Sequence, residues 1–154
     1  MKEMIIAQQE ADTLIALEKH YDRLLAANDN PLQLPDVGGK VSVPFTCAAK
    51  RERFLIDIVR GRIDLVKETK QLRSRQVVIL LRLDVGGAPH RNPDGEEISS
   101  PHLHIYREGY GDKWAIPVPR DRFGDLSNSW QTLLDFMSYC NVVDAPIFER
   151  GLFT

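Results

Sequence analysis

The stretch Val77-Val78-Ile79-Leu80-Leu81, ended by Arg82, decides how the chain is read. Five successive apolar residues, three of them β-branched, predict a central strand covered on both faces. Working outward, Lys40 to Cys47 alternates with period two and sets Val41, Val43 and Phe45 on one side. Phe54 to Val59 and Ile63 to Gln71 flank Arg60-Gly61, which predicts a tight hairpin with the glycine at positive φ. Downstream, His102 to Glu108 and Lys113 to Val118 predict a second hairpin around Gly109-Tyr110-Gly111-Asp112. Between the central strand and that hairpin lies a long polar connection, Asp84 to Pro101. Gly86-Gly87, Pro89, Asn92-Pro93 and Asp94-Gly95 punctuate it with turns.

Helices bracket these strands. From Ala7 to Ala27 the residues Ala7, Ala11, Leu14, Ile15, Leu17, Tyr21, Leu24 and Leu25 recur at helical spacing, opposite a polar side that includes Glu10, Asp12 and Glu18. The helix ends before Asn28-Asp29-Asn30-Pro31, and Pro31 to Gly39 reads as a loop. A second helix runs from Asn128 to Cys140, with Ser127 or Ser129 as its cap and Trp130, Leu133, Leu134 and Met137 as its buried face. The tail from Asn141 to Thr154 reads as irregular, with Ile147, Phe148, Leu152 and Phe153 packing back on the body. This order predicts an α+β fold: a mostly antiparallel sheet of about six strands, with an N-terminal and a C-terminal helix packed on it, in a single domain over 1–154.

Composition narrows the class. A chain of 154 residues with 43% hydrophobic and 27% charged side chains can build one ordinary core and is unlike a disordered segment. Cys47 and Cys140 are too few for a disulfide scaffold and lack metal-ligand spacing. The longest apolar run is too short to span a bilayer. The N-terminal MKEMIIAQQEAD turns polar before a signal-peptide core can form, so the expected location is the cytoplasm. A net charge of −2 hides an asymmetry. Residues 1–49 hold 4 basic and 7 acidic side chains, residues 50–91 hold 11 and 5, and residues 92–154 hold 5 and 10. The central +6 is compatible with one basic sheet face that meets a polyanion, or with the solvated side of a half-exposed sheet.

Three of the four histidines, His90, His102 and His104, fall within 15 residues. His102 and His104 are two apart on one strand and share a face, which Tyr106 and Glu108 continue. Such a cluster has three readings. The imidazoles can hold a divalent metal through His90, His102 and His104, transfer protons as general acid and base, or make only structural hydrogen bonds. Arg82 and Arg91 add guanidinium groups suited to phosphate, which tips the balance toward metal-free phosphodiester chemistry without a cofactor. Asp84, Asp94, Glu96 and Glu97 read as turn and solvated loop residues, and His20 as a surface residue on the first helix. Gly86-Gly87 matches no nucleotide-phosphate loop.

The segments Leu83-Asp84-Val85-Gly86-Gly87-Ala88-Pro89-His90-Arg91-Asn92-Pro93-Asp94-Gly95 and Pro101-His102-Leu103-His104-Ile105-Tyr106-Arg107-Glu108-Gly109-Tyr110-Gly111-Asp112-Lys113-Trp114 resemble the signature of a family of small bacterial proteins of unknown function. The resemblance runs from the first helix to the last and brings no activity with it. A looser similarity of arrangement, resting on Arg82, His90, His102, His104 and the α+β layout, links the chain to toxin-like ribonucleases of toxin–antitoxin systems. It implies RNA as substrate or ligand and a protein partner such as an antitoxin. In that reading His102 and His104 are the acid and base, His90 closes the site, Tyr106 orients or stacks, and Arg82 and Arg91 contact phosphate. The rival expectations are a non-catalytic, phage- or defence-associated interaction module that binds through Arg73 and Arg75 on a basic sheet face, and a histidine-ligated metal site.

Overall fold

The computed structural model describes residues 4–26 and 31–149 of the chain. Its helices are α1 (Gln8–Ala16), α2 (Arg23–Ala26) and α3 (Ser129–Tyr139). The longer strands are β3 (Lys40–Cys47), β4 (Glu52–Arg60), β5 (Glu68–Ser74) and β6 (Val78–Val85). Shorter ones are β1 (Lys19–Tyr21), β2 (Leu32–Gln33), β7 (His90–Arg91), β8 (Glu97–Ile98), β9 (His102–Ile105), β10 (Ala115–Pro117), β11 (Val142–Asp144) and β12 (Phe148–Glu149). Eight of them form one sheet in the order β10-β9-β6-β5-β4-β3-β1-β11. Every neighbouring pair is antiparallel except β1 with β11. The fold is a mixed α+β arrangement with a larger sheet than the alternation alone suggests.

Alternation along these strands separates two faces with different chemistry. Val43 and Phe45 of β3, Phe54, Ile56 and Ile58 of β4, Leu72 of β5 and Leu81 and Leu83 of β6 join Ala11 and Leu14 of α1 and Leu133, Phe136 and Met137 of α3 in one apolar core. The opposite face carries Ser42, Asp57, Gln71, Arg73, Arg82, Asp84, His102 and His104, paired across neighbouring strands. Both α1 and α3 therefore serve the apolar face, and the polar face is left to the connection between β6 and β9.

Several expectations change on contact with the structure. The first helix does not run to Ala27: it stops at Leu17, whose backbone is extended, and Lys19 to Tyr21 become a strand between β3 and β11. The cause is Lys19, whose ammonium donates to the carbonyls of Ile15 and Leu17 at 2.8 Å and of Cys140 at 2.7 Å, closing the helix end with a side chain. His20 is exposed as expected, but on β1. The strand expected at Ile63 to Gln71 begins only at Glu68, because Asp64 accepts from the backbone of Val66 and Lys67 and turns the chain. Gly61 is required there for close approach and not for positive φ: a Cβ would lie 2.2 Å from the Asp64 carbonyl.

The central strand runs Val78–Val85, three residues beyond its expected end at Arg82, and Val77 is exposed at its entry. A bulge opposite Leu72 and Arg73 places Leu80 in the core. The last helix is capped by Asn128, which accepts from Gln131 N at 3.0 Å, in place of either serine. The tail is not irregular throughout, since β11 joins the main sheet and β12 pairs with β2, a strand inside the expected Pro31 to Gly39 loop. Of the four expected tail contacts, Phe148 packs on the core and Ile147 is exposed, while Leu152 and Phe153 lie outside the described residues. No helix among the described residues is long and apolar enough to cross a membrane.

Candidate metal centre

Register brings the site together. Asp84 of β6 pairs with His102 of β9, and Arg82 pairs with His104, so all four side chains project from the polar face at neighbouring positions. On the other flank Thr69 of β5 pairs with Asp84, and its hydroxyl donates to Asp84 Oδ1 at 2.9 Å. Asp84 Oδ2 faces the rings: it lies 3.4 Å from His102 Nε2 and 3.2 Å from His104 Nε2. One ligand atom from each of Asp84, His102 and His104 falls within 4.8 Å of the other two. His102 and His104 are 3% and 1% exposed.

The connection after β6 supplies a lid of fixed shape. Asn92 behaves like one residue of an added strand, donating to the Ala115 carbonyl at 2.9 Å and accepting from Ala115 N at 2.8 Å. That anchor holds His90 beside the other rings, 4.5 Å from His104 and 5.8 Å from His102 between centroids. His90 Nε2 donates to the Lys113 carbonyl and His104 Nδ1 to the Asp112 carbonyl, each at 2.7 Å. Carbonyls accept only, so the turn before β10 fixes a proton on one nitrogen of each ring.

Counting protons exposes the character of this cluster. His104 gives Nδ1 to the Asp112 carbonyl, which leaves its Nε2 between the Asp84 carboxylate and the Arg82 guanidinium. Burial lowers the His102 pKa from its ordinary value against the pull of Asp84, so this ring is neutral at pH 7. One proton cannot serve both its nitrogens, of which Nδ1 lies 3.4 Å from the Ser99 carbonyl and Nε2 faces Asp84. Burial alone would raise the Asp84 carboxyl, but the His104 ring, the Arg82 charge and the Thr69 hydroxyl outweigh it and hold it at about 2. The side chains thus converge on a negatively charged point that offers two imidazole nitrogens and a carboxylate oxygen. Arg82 partly balances it, with Nε 3.2 Å from Asp84 Oδ2, Nη2 3.1 Å from His104 Nε2 and Nη1 on the Asp112 carboxylate.

A cavity of about 430 Å³ opens in front of these groups, and Lys67, Gly86, Gly87 and His90 form its outer wall. His90, His102, His104 and Arg82 meet here, whereas Arg91 and Tyr106 do not. Arg91 points outward from β7, with its side chain 71% exposed and Glu97 3.7 Å away. Tyr106 follows Leu80 across the β6 bulge: its amide donates to the Leu80 carbonyl and its ring enters the core. The Tyr106 hydroxyl donates to Ile6 O at 2.8 Å and accepts from Ile6 N at 2.9 Å, away from the histidines. Asp84 is the member that the sequence reading assigned to the loop. Its signal was the two-residue spacing from Arg82, which puts both on one face of an uninterrupted strand.

Arg73 and Arg75, the arginines expected to bind a partner, are paired within the protein. Arg73 donates to the fully buried Asp57 through Nε at 2.6 Å and Nη2 at 2.9 Å, and Arg75 pairs with Glu10 at 2.6 Å and Glu52 at 3.1 Å. Lys70 is buried on the core side with Glu68 3.2 Å away, and burial lowers its pKa. Asp57 also accepts from Ser42 and Gln71, and despite burial these donors and Arg73 keep its carboxyl below its ordinary pKa.

Fold and site define a mixed α+β protein with a buried aspartate–histidine–histidine cluster at the floor of a polar pocket. Residues 6–142 match the family of unknown function DUF6978, and the chain belongs to that family. No curated protein and no solved structure matches it.

Proposed function

We propose that the protein binds a divalent metal ion through Asp84, His102 and His104 and uses it as a hydrolytic centre. The observation that carries this reading is the convergence of two imidazole nitrogens and one carboxylate oxygen within 4.8 Å. Imidazole and carboxylate donors suit zinc and the other first-row divalent ions. The Asp112 carbonyl behind His104 and the Thr69 hydroxyl behind Asp84 are the outer partners that orient metal ligands. Three protein ligands below an open pocket leave room for water, whose pKa a divalent ion lowers far enough to supply a nucleophile at neutral pH.

The test is metal content and zinc titration of tag-free protein stripped with chelator. Zinc should bind near one equivalent. A free concentration of 100 Kd should add about 2.7 kcal/mol of stability, read as a rise of several degrees in the thermal midpoint. His102→Ala and Asp84→Asn should lose that rise. A midpoint that ignores millimolar zinc in the parent protein would sink the reading.

A second reading, metal-free RNA cleavage with His102 and His104 as acid and base, draws on one observation: Arg82 already brings a cation to both Asp84 and His104. It requires cleavage of RNA by chelator-treated protein that disappears in His102→Ala and His104→Ala.

A further inference from the structure

We infer that the pocket above the centre recognises a phosphate ester, seating the phosphoryl oxygens between the metal position, Lys67 and Arg82. This inference rests on the metal reading and specifies its substrate class. The lining is polar, with nothing larger and apolar than Ala88 and Pro89, which fits a small charged group and not an apolar ligand.

Lys67 is the first support. Its backbone is tied down by Gly61 N donating to its carbonyl at 2.8 Å and by its own amide donating to Asp64 O at 3.1 Å. Its stem lies across the 86–87 turn: a Cβ on Gly87 would stand 3.6 Å from both Cδ and Cε of Lys67. Gly86 and Gly87, at φ +77° and +82°, let that turn pass close to the 66–67 backbone, where a Cβ on Gly86 would come within 3.0 Å of the Val66 carbonyl. The Lys67 ammonium makes no ion pair or hydrogen bond among the described residues, although it borders a pocket that contains a carboxylate. A solvent-exposed cation without an anion at a pocket wall is placed for a ligand that brings one.

Arg82 is the second support. Its Nη2 lies 3.1 Å from His104 Nε2, the nitrogen that a metal would take. Metal binding removes that acceptor while Nε and Nη1 stay on Asp84 and Asp112, so one N–H of a held guanidinium becomes available to the pocket. The charge balance selects the ligand. A divalent ion, Lys67 and Arg82 against Asp84 and Asp112 leave two positive charges, which a dianionic phosphoryl group neutralises and a carboxylate does not. Three donors from three directions match three free phosphoryl oxygens in the same way.

Cobalt(II) reports both steps, because its visible absorption appears on binding to nitrogen and oxygen ligands and changes when a further ligand enters. The cobalt-loaded full chain is titrated with inorganic phosphate, with acetate as the monoanion. Phosphate should shift the spectrum at concentrations at least tenfold below acetate, Lys67→Gln should weaken it at least fivefold, and Lys50→Gln should match the parent. Absence of a cobalt band would overturn the metal reading and this inference with it. A cobalt band that phosphate leaves unchanged, equal potency of acetate, or a Lys67→Gln titration identical to the parent would overturn the inference alone. Circular dichroism of Lys67→Gln guards against misfolding, and Lys67→Arg, which keeps the charge, should retain most of the affinity.

Discussion

The protein holds two charged clusters on opposite faces of one sheet, one closed on every side and one open to a pocket. Around Lys19, 0% exposed, three ammonium protons meet three carbonyls, and the Phe54 ring stands 4.7 Å away. Burial draws its pKa down to about 8, still above neutrality, so the charge persists at pH 7. Every donor has an acceptor and there is nothing left to bind. Around Asp84 two imidazole nitrogens and a carboxylate oxygen face one point, the floor is walled by strands, and the remaining side opens on a pocket. The Lys19 cluster is a rivet and the Asp84 cluster a receptor, and the pocket that opens over the second tells them apart.

Breaking the closed cluster should have the largest effect. Lys19→Met keeps the stem but strands three carbonyls at the ends of α1 and α3, and we expect a loss of about 4 kcal/mol in chemical denaturation. A loss below about 1 kcal/mol would show that water replaces the ammonium and that the cluster is not closed. The open cluster should respond to acid. The Asp84 carboxyl is held at about 2 against an ordinary 3.8, so its contribution is fully present above pH 4 and disappears as pH falls from about 4 to 2. That interval is worth about 2 kcal/mol, and chelator-treated Asp84→Asn should lack this limb of the stability curve. The smallest effect sharpens the boundary of the site. Arg91 lies outside both clusters, and Arg91→Ala should change stability by less than about 0.5 kcal/mol.

Much of this was legible in the residues, and the failures have physical causes. Period-two alternation finds β3 and β4, and the unbroken apolar run finds β6, because each follows from the pleat of a strand. Helical spacing over Ala7 to Ala27 is equally clear, yet it fails after Leu17. The apolar residues Tyr21, Leu24 and Leu25 mimic a helical stripe, and the interruption comes from a lysine that reaches Cys140 from the far end of the chain. Strands β1, β11 and β12 are short and gain their identity from partners distant in sequence, which no local pattern reports. At the site, the His102 and His104 pair follows from spacing alone. The displacement of Tyr106 depends on the Leu80 bulge, and the neutralisation of the basic segment depends on carboxylates such as Asp57 and Glu10 from other strands and helices.

The Asn92 side chain has a bearing on self-association as well. β10 ends the main sheet, and an uncovered terminal strand offers its amide and carbonyl groups to any other chain as a template for aggregation. Asn92 occupies both groups of Ala115 with one carboxamide. The segment that positions His90 is therefore also the guard of the sheet's border, and a change that frees the loop for new chemistry exposes that border to neighbours.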